Sequence, residues 1–293
     1  MPNQTTGTTA TKELSLWRKA MNQAATAFAV AAAILVIVPL MAIFIYLLIK
    51  GIGALNWAFL TQTPKPVGEV GGGMANAIVG SGVILGIASL IGIPIGIGCG
   101  IYLAEYAQGR FGDIVRFTAD VLNGVPSIVI GIAVYSLIVV RQKHFSAFSG
   151  GIALAIMMIP TVARATEEML LMVPNNVREA ALGLGIPKWR TTLSISLRTA
   201  SAGVITGCML AFARVAGETA PLLFTAFGNQ YWNMNPNQPT AALPLQIYVY
   251  AISPFDEWHK QAWAGALILI VMIVAAVAAV RIATSRGTLK GAS

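Results

Sequence analysis

Charge is what this chain has least of. Asp, Glu, Lys and Arg together make up 10% of its 293 residues, against about 25% in a soluble domain. With 56% hydrophobic residues, it carries more apolar surface than a water-bathed fold can bury, which excludes a soluble protein and leaves an all-α membrane protein. Cysteine is scarce: Cys99 and Cys208 both lie in apolar runs. They offer neither a disulfide framework nor metal-ligand spacing and read as small packing residues. The two histidines, His144 and His259, are solitary in expected loops, so no metal is expected. No G-x-x-x-x-G-K-S/T phosphate loop occurs, so the chain has no nucleotide site of that kind. No nucleophile–base set is visible in the apolar runs, so an enzyme is not expected. The net charge of +8 comes without a basic, aromatic-interleaved segment, which argues against nucleic acid. No repeat, low-complexity tract or soluble domain stands out.

What the chain has is long apolar runs. A membrane-crossing helix needs about 20 mainly apolar residues, and six segments qualify: Ala24–Ile49, Met74–Leu103, Ile114–Val140, Gly150–Val173, Thr199–Phe227 and Gln261–Arg281. The first is longer than the apolar region of a signal peptide, about 7–15 residues, and is expected to be retained. The organisation that follows is an N-terminal segment 1–22, a six-helix transmembrane domain 24–283 with a polar loop at 174–198, and a tail 284–293.

Orientation follows from the basic residues. With the N-terminus inside, the inner segments hold Lys12, Arg18, Lys19, Arg110, Arg116, Arg178, Lys188, Arg190, Arg198, Arg281, Arg286 and Lys290. The outer segments hold Lys50, Lys65, Arg141, Lys143 and Lys260. Twelve against five places both termini in the cytoplasm. Of the outer loops, Asn56–Gly73 is Pro/Gly-rich, and 228–260 carries Tyr231, Trp232, Tyr248, Tyr250 and Trp258, as suits a membrane–water interface. Its stretch Leu243–Ile252 reads as a short interfacial or re-entrant helix. These loops are too small for an external ligand-binding domain, which would have to be a separate protein.

The second span has Gly92, Gly96 and Gly100 at four-residue spacing, a stripe that lets helices approach closely. Pro94, Pro126 and Pro160 can each kink a span, with the freed backbone groups satisfied by protein or water.

The loop 174–198 is helix-forming and polar. Asn176 is a candidate N-cap with Glu179 three residues on, a capping-box spacing. Ala180 and Ala181 combine strong helix propensity with the smallest side chains, suited to a close, flat contact with a partner. Gly185 can take the left-handed conformation that stops a helix, and Pro187 can open a second one. Lys188, Trp189 and Arg190 would anchor this helix–turn–helix at the headgroups.

Two arginines lie inside spans, at a cost of about 2.5–3.5 kcal/mol each on insertion scales. Arg164 has Glu168 four residues on and Glu167 at three; Arg214 has Glu218 at four. These spacings place partners on one helix face. Either the pairs neutralise themselves and staple the bundle, or the arginines line a path and meet a tetrahedral oxyanion, which their planar forks match. In the second case the glutamates keep the empty path near neutral so that the anion is released.

The run Glu179-Ala180-Ala181, three residues, Gly185, nine residues, Ile195-Ser196-Leu197 resembles the cytoplasmic coupling loop of ABC-transporter permeases. That pattern ends in proline, where this chain has Arg198. The runs Ala213-Arg214-Val215-Ala216-Gly217-Glu218-Thr219-Ala220-Pro221-Leu222 and Leu122-Asn123-Gly124-Val125-Pro126-Ser127-Ile128-Val129-Ile130-Gly131 resemble the PstA type of phosphate permease, as does Trp263-Ala264-Gly265-Ala266-Leu267. The resemblance implies the type I ABC importer permease fold in a bacterial inner membrane. It implies that Glu179, Ala180, Ala181 and Gly185 dock in a cleft of an ATP-binding subunit, present in two copies. Other implied partners are a sibling PstC-type permease, an external phosphate-binding protein, inorganic phosphate and membrane lipid. Arg164, Arg214, Glu168 and Glu218 would line the anion path, and Pro94, Gly124, Pro126 and Ser127 would serve helix packing and gating. No cofactor would bind this chain; ATP and magnesium would belong to the ATPase. Still open are another oxyanion importer (sulfate, molybdate or phosphonate), the sibling subunit itself, and a secondary anion carrier working without an ATPase.

Overall fold

The computed structural model describes residues 16–66, 69, 71–107 and 109–289 and is helical throughout. In chain order the helices are α1 (Leu16–Ala54), α2 (Trp57–Thr61), α3 (Ala75–Ile101), α4 (Arg110–Gly124), α5 (Ser127–Val134), α6 (Val140–Gln142), α7 (Ala147–Leu171), α8 (Asn175–Gly183), α9 (Lys188–Thr191), α10 (Leu197–Ala216), α11 (Ala220–Thr225), α12 (Leu243–Ala251) and α13 (Asp256–Leu289). Three π-helical stretches, Tyr102–Tyr106, Tyr135–Val139 and Thr192–Ser196, extend α3, join α5 to α6 and join α9 to α10. By contact the chain forms two units, Met1–Ile49 and Lys50–Ser293.

Five helices are long and apolar enough to cross a membrane, and a bent pair makes the count up to six. The expected third span is that pair: Arg110–Gly124 and Ser127–Gln142 meet at 103°. Proline alone kinks a helix modestly; here Val125 and Pro126 both take extended ψ values, 131° and 135°, and the ladder stops. The fifth span also differs from expectation. It runs from Lys188 through the π turn to Ala216, so the loop's second helix is the first turns of the span. The π segment ends at Ser196, and Arg198 lies in the first turn of α10. At the far end Gly217–Thr219 interrupt the expected helix before α11.

Of the expected segments 1–22 and 284–293, residues 16–22 and 284–289 are described and are helical. α1 begins at Leu16 and α13 continues to Leu289, because charge ends membrane burial without ending the helical hydrogen-bond ladder. Lys12 and Lys290 lie outside the described residues. His259, expected in a loop, sits in the first turns of α13 and bonds the Ser253 carbonyl through Nε2 at 2.6 Å. The short helix expected at 243–252 is α12.

The glycine stripe holds the centre together. A Cβ at Gly96 would lie 2.6 Å from Val162 Cβ, and one at Gly100 2.5 Å from Thr166 Cβ, so α3 and α7 pack backbone to backbone. Both helices run unbroken through their prolines, Pro94 and Pro160. Ile84, Leu154, Met158, Val162 and Val215 fill the main core. Leu170, Val173, Ala200 and Val204 form a smaller cluster at the end of α7. Side-chain caps support the starts of α2 and α7: Asn56 Oδ1 accepts from the Phe59 amide at 2.7 Å and Ser146 Oγ from the Ser149 amide at 3.1 Å.

Candidate functional site

The E-A-A segment is α8, followed by a turn. Gly185 takes φ +76° and ends the helix as its sequence position demands: the Ile186 amide closes back on the Ala181 carbonyl at 3.2 Å. The capping box does not form. The helix opens at Asn175 with Pro174 as N-cap, two residues ahead of the expected cap Asn176, because Pro174 already sets an extended ψ and donates no amide. Asn175 Oδ1 instead accepts from Arg178 Nη1 at 3.1 Å.

The helix has two faces. Glu179, Ala180 and Gly185 point outward, while Ala181 is 4% exposed. The flat two-alanine contact is therefore corrected to one alanine: Ala181 packs inward, and a bulky residue there would disrupt this chain's own loop. The outer face gains apolar groups that sequence reasoning missed, Val177, Leu182 and Leu184, the last 82% exposed. Their signal was two leucines flanking Gly183 in an otherwise polar loop. Exposed apolar side chains grouped beside a charged residue mark an interaction surface.

Arg178 was read only as a loop charge. Its Nε donates to Glu105 Oε1 at 3.0 Å, Nη1 to the Val173 carbonyl at 2.7 Å and Nη2 to the Leu170 carbonyl at 2.6 Å. Nearby, Lys188 Nζ stands 4.8 Å from the centroid of the Tyr106 ring.

The intramembrane charges are arranged differently from the i,i+4 expectation. Arg164 bonds Glu167 at 2.8 Å and Asp120 at 3.0 Å. Glu168 is exposed. The third residue on, not the fourth, turns inward toward α4. Glu167, its side chain 4% exposed, also takes Arg116 Nε at 2.6 Å. Arg116 reaches Asp113 at 3.4 Å and the Leu103 carbonyl at 2.9 Å. The resulting cluster of two arginines and three carboxylates ties α4, α7 and the end of α3 together. Asp113, Arg116 and Asp120 share a helix face by spacing, which sequence could show; their partner half the cluster away on α7 it could not.

Arg214 lies in the last turn of α10 and is exposed. A cation there is favoured by the helix dipole. The expected Arg214–Glu218 pair does not form among the described residues. The helix has ended at Ala216, and Glu218, past the break, spends its amide on the Val215 carbonyl at 3.2 Å.

The two sequence runs singled out earlier meet. A Cβ at Gly131 would lie 2.7 Å from Pro221 Cα, so α5 rests directly on α11. Thr161 Oγ1 donates to Asn123 Oδ1 at 3.0 Å, fixing the end of α4 to α7. Pro126 stands at the break and Ser127 opens α5. Gly124 has open space around its Cβ position, so it serves as a helix end rather than a packing contact. Pro94 is exposed on α3. Among the described residues no group of three His, Cys, Asp or Glu could hold a metal.

Comparison with known proteins places this architecture. The family model "Binding-protein-dependent transport system inner membrane component" matches residues 92–286. The phosphate transport system permease protein PstA of Yersinia pestis is 42% identical over 275 residues, covering 94% of this chain and 93% of the relative. That of Haemophilus influenzae is 47% identical over 260 residues, covering 88% and 92%. Among solved structures, an inward-facing conformation of the MetNI methionine ABC transporter has a chain that superposes with a TM-score of 0.56 at 16% identity. The match covers 73% of this chain and 94% of that one; at that identity it shows the fold alone.

Proposed function

Given that this chain belongs to the family of binding-protein-dependent transport system inner membrane components, in its PstA-type phosphate branch, we propose how its two chemical surfaces divide the work of phosphate import. The chain is a multi-pass inner-membrane permease subunit of a phosphate ABC transporter, and it is not itself catalytic.

The observation that carries the division is the outward face of α8: Glu179, Ala180 and Gly185 exposed together with Leu182 and Leu184. This is the surface for a separate ATPase subunit, which supplies the ATP and magnesium chemistry. In the full assembly two such ATPase copies serve this chain and a sibling PstC-type permease. An external binding protein delivers phosphate to the junction between the permeases, and both termini face the cytoplasm. ATP closes the ATPase pair, and its preference for one state over the other drives alternating access.

Arg214 is our candidate for meeting phosphate in the path, with Glu218 nearby on the far side of the break. It is exposed in this chain, whereas Arg164 is already held by two carboxylates. Arg164, with Asp120 and Glu167, is read as the staple of the cytoplasmic half. The broken helices at Gly124–Ser127 and Gly217–Thr219 supply the elements that can re-pack.

The test is uptake of labelled phosphate in cells without their own high-affinity system, with and without a hundredfold excess of unlabelled sulfate. Uptake that needs both permeases, the ATPase and the binding protein, and ignores sulfate, is expected. Suppression by sulfate would reassign the oxyanion, and uptake without the ATPase would reassign the class to a secondary carrier.

Docking has its own test. Leu184→Asp places a charge in an apolar contact, and a desolvated, unpaired charge costs several kcal/mol. ATPase co-purified with the permease is expected to fall at least about tenfold. Glu179→Lys should weaken it less, since it changes the rim. Undiminished co-purification of both variants would place docking elsewhere.

A further inference from the structure

We infer that Arg178 is the positioning residue that transmits motion of α8 to the second and fourth spans, while its neighbour Glu179 faces the ATPase. The proposal rests on the importer reading above and adds to it the route by which force enters the membrane.

Adjacent residues on a helix point about 100° apart, so Arg178 and Glu179 cannot share a face. Glu179 is exposed; Arg178 turns inward, its side chain 17% exposed against 7% for Glu105. The guanidinium fork then holds three pieces of the chain at once. It donates to the Leu170 carbonyl in the last turn of α7 at 2.6 Å, which also takes the Val173 amide at 3.1 Å, and to the Val173 carbonyl just past the helix at 2.7 Å. It pairs with Glu105 at 3.0 Å in the π-helical turn that ends the second span. It reaches back to Asn175 at the start of its own helix. Charge-assisted bonds of this kind are about twice as strong as neutral ones, and a rigid fork loses little freedom on making them.

A second cation repeats the grip. Lys188, beyond the Gly185 turn, stands over Tyr106, the residue next to Glu105. Both arms of the loop thus hold the same π turn. Single π-helical turns inside helices recur at functional positions. Above it, Gly92, Gly96 and Gly100 lock α3 to α7 at backbone distance. A tilt of α8 therefore moves α3 and α7 together. Deleting the fork leaves α8 free to follow the ATPase while the spans stay behind.

The experiment compares Arg178→Gln, Arg178→Lys and Glu105→Gln with the unaltered chain in the assembled, reconstituted importer. It measures ATPase co-purification, ATP hydrolysis and phosphate taken up per ATP. Uptake per ATP is expected to fall at least about tenfold in Arg178→Gln, the scale of losing charged hydrogen bonds, with ATPase still bound and hydrolysing. Arg178→Lys should rescue part of the ratio by keeping the charge without the fork. Glu105→Gln should lower it less, because the bonds to the two carbonyls remain; it also serves if Arg178→Gln fails to assemble. A merely structural role would lower the amount of complex and leave uptake per ATP unchanged, and that outcome in both Gln variants overturns the proposal. If the unaltered assembly takes up no phosphate yet its ATP hydrolysis responds to the binding protein, the substrate reading fails. The proposal is then decided by whether Arg178→Gln uncouples that response.

Discussion

Arg214→Gln is expected to reduce phosphate uptake to background while the assembled complex and its bound ATPase persist. Arg214 is exposed at the end of α10, so its loss breaks no packing in this chain, and the helix loses only a favourable dipole contact of about 0.3–1 kcal/mol. What it removes is the permanent positive charge that the proposed path offers an anion there. Each charged hydrogen bond is worth about 1.5–3 kcal/mol, and a guanidinium offers two in parallel to a tetrahedral oxyanion. The summed loss corresponds to at least about a hundredfold in affinity. Arg214→Lys should retain part of the uptake, since the charge survives and the fork does not. The same cells report assembly through ATPase co-purification. Normal uptake by Arg214→Gln would remove this residue from the path.

Most of the architecture was legible because apolar length is a strong signal. Six runs were expected, and among the described residues five helices long and apolar enough to cross plus one bent pair are present. The glycine stripe announced a close helix approach, whose partner α7 only the fold names, and Gly185 announced its own turn. What was not legible is tertiary. Spacing offered Arg164 two partners, Glu167 and Glu168, and only the fold decides which faces α4. Arg214 and Glu218 have the right separation, but the ladder ends between them: Gly217 caps α10 and Pro221 stands in the first turn of α11, a stop signal that the apolar length of the run masked. The break near Pro126 was half visible: proline signals a kink, and the 103° turn arises because Val125 and Pro126 leave helical geometry together. Arg178 was hidden for a different reason. Its Glu105 partner is far off in sequence, so its role exists only once two spans end at the same height.

The other large effect is expected on stability, at Glu167. This carboxylate bridges Arg116 at 2.6 Å and Arg164 at 2.8 Å, with 4% of its side chain exposed. Removing it leaves two half-buried guanidinium groups facing each other across the site it neutralised. Breaking a fully buried pair costs about 3–5 kcal/mol. Each arginine here keeps 32% exposure and Asp120 and Asp113 remain, so about 2–3 kcal/mol is the fitting scale for Glu167→Ala. The midpoint for thermal unfolding of the purified complex should drop by about 5 °C or more. Glu167→Gln should fall between, since its amide oxygen can accept one of the two bonds. The discriminating variant is the pair Glu167→Gln with Arg164→Gln. If the cluster is a staple, removing one positive charge alongside the negative one restores much of the midpoint, and the double variant still imports phosphate. If Arg164 belongs to the anion path, the double variant regains stability and imports nothing. An unchanged midpoint in Glu167→Ala would show that the cluster does not hold α4 against α7.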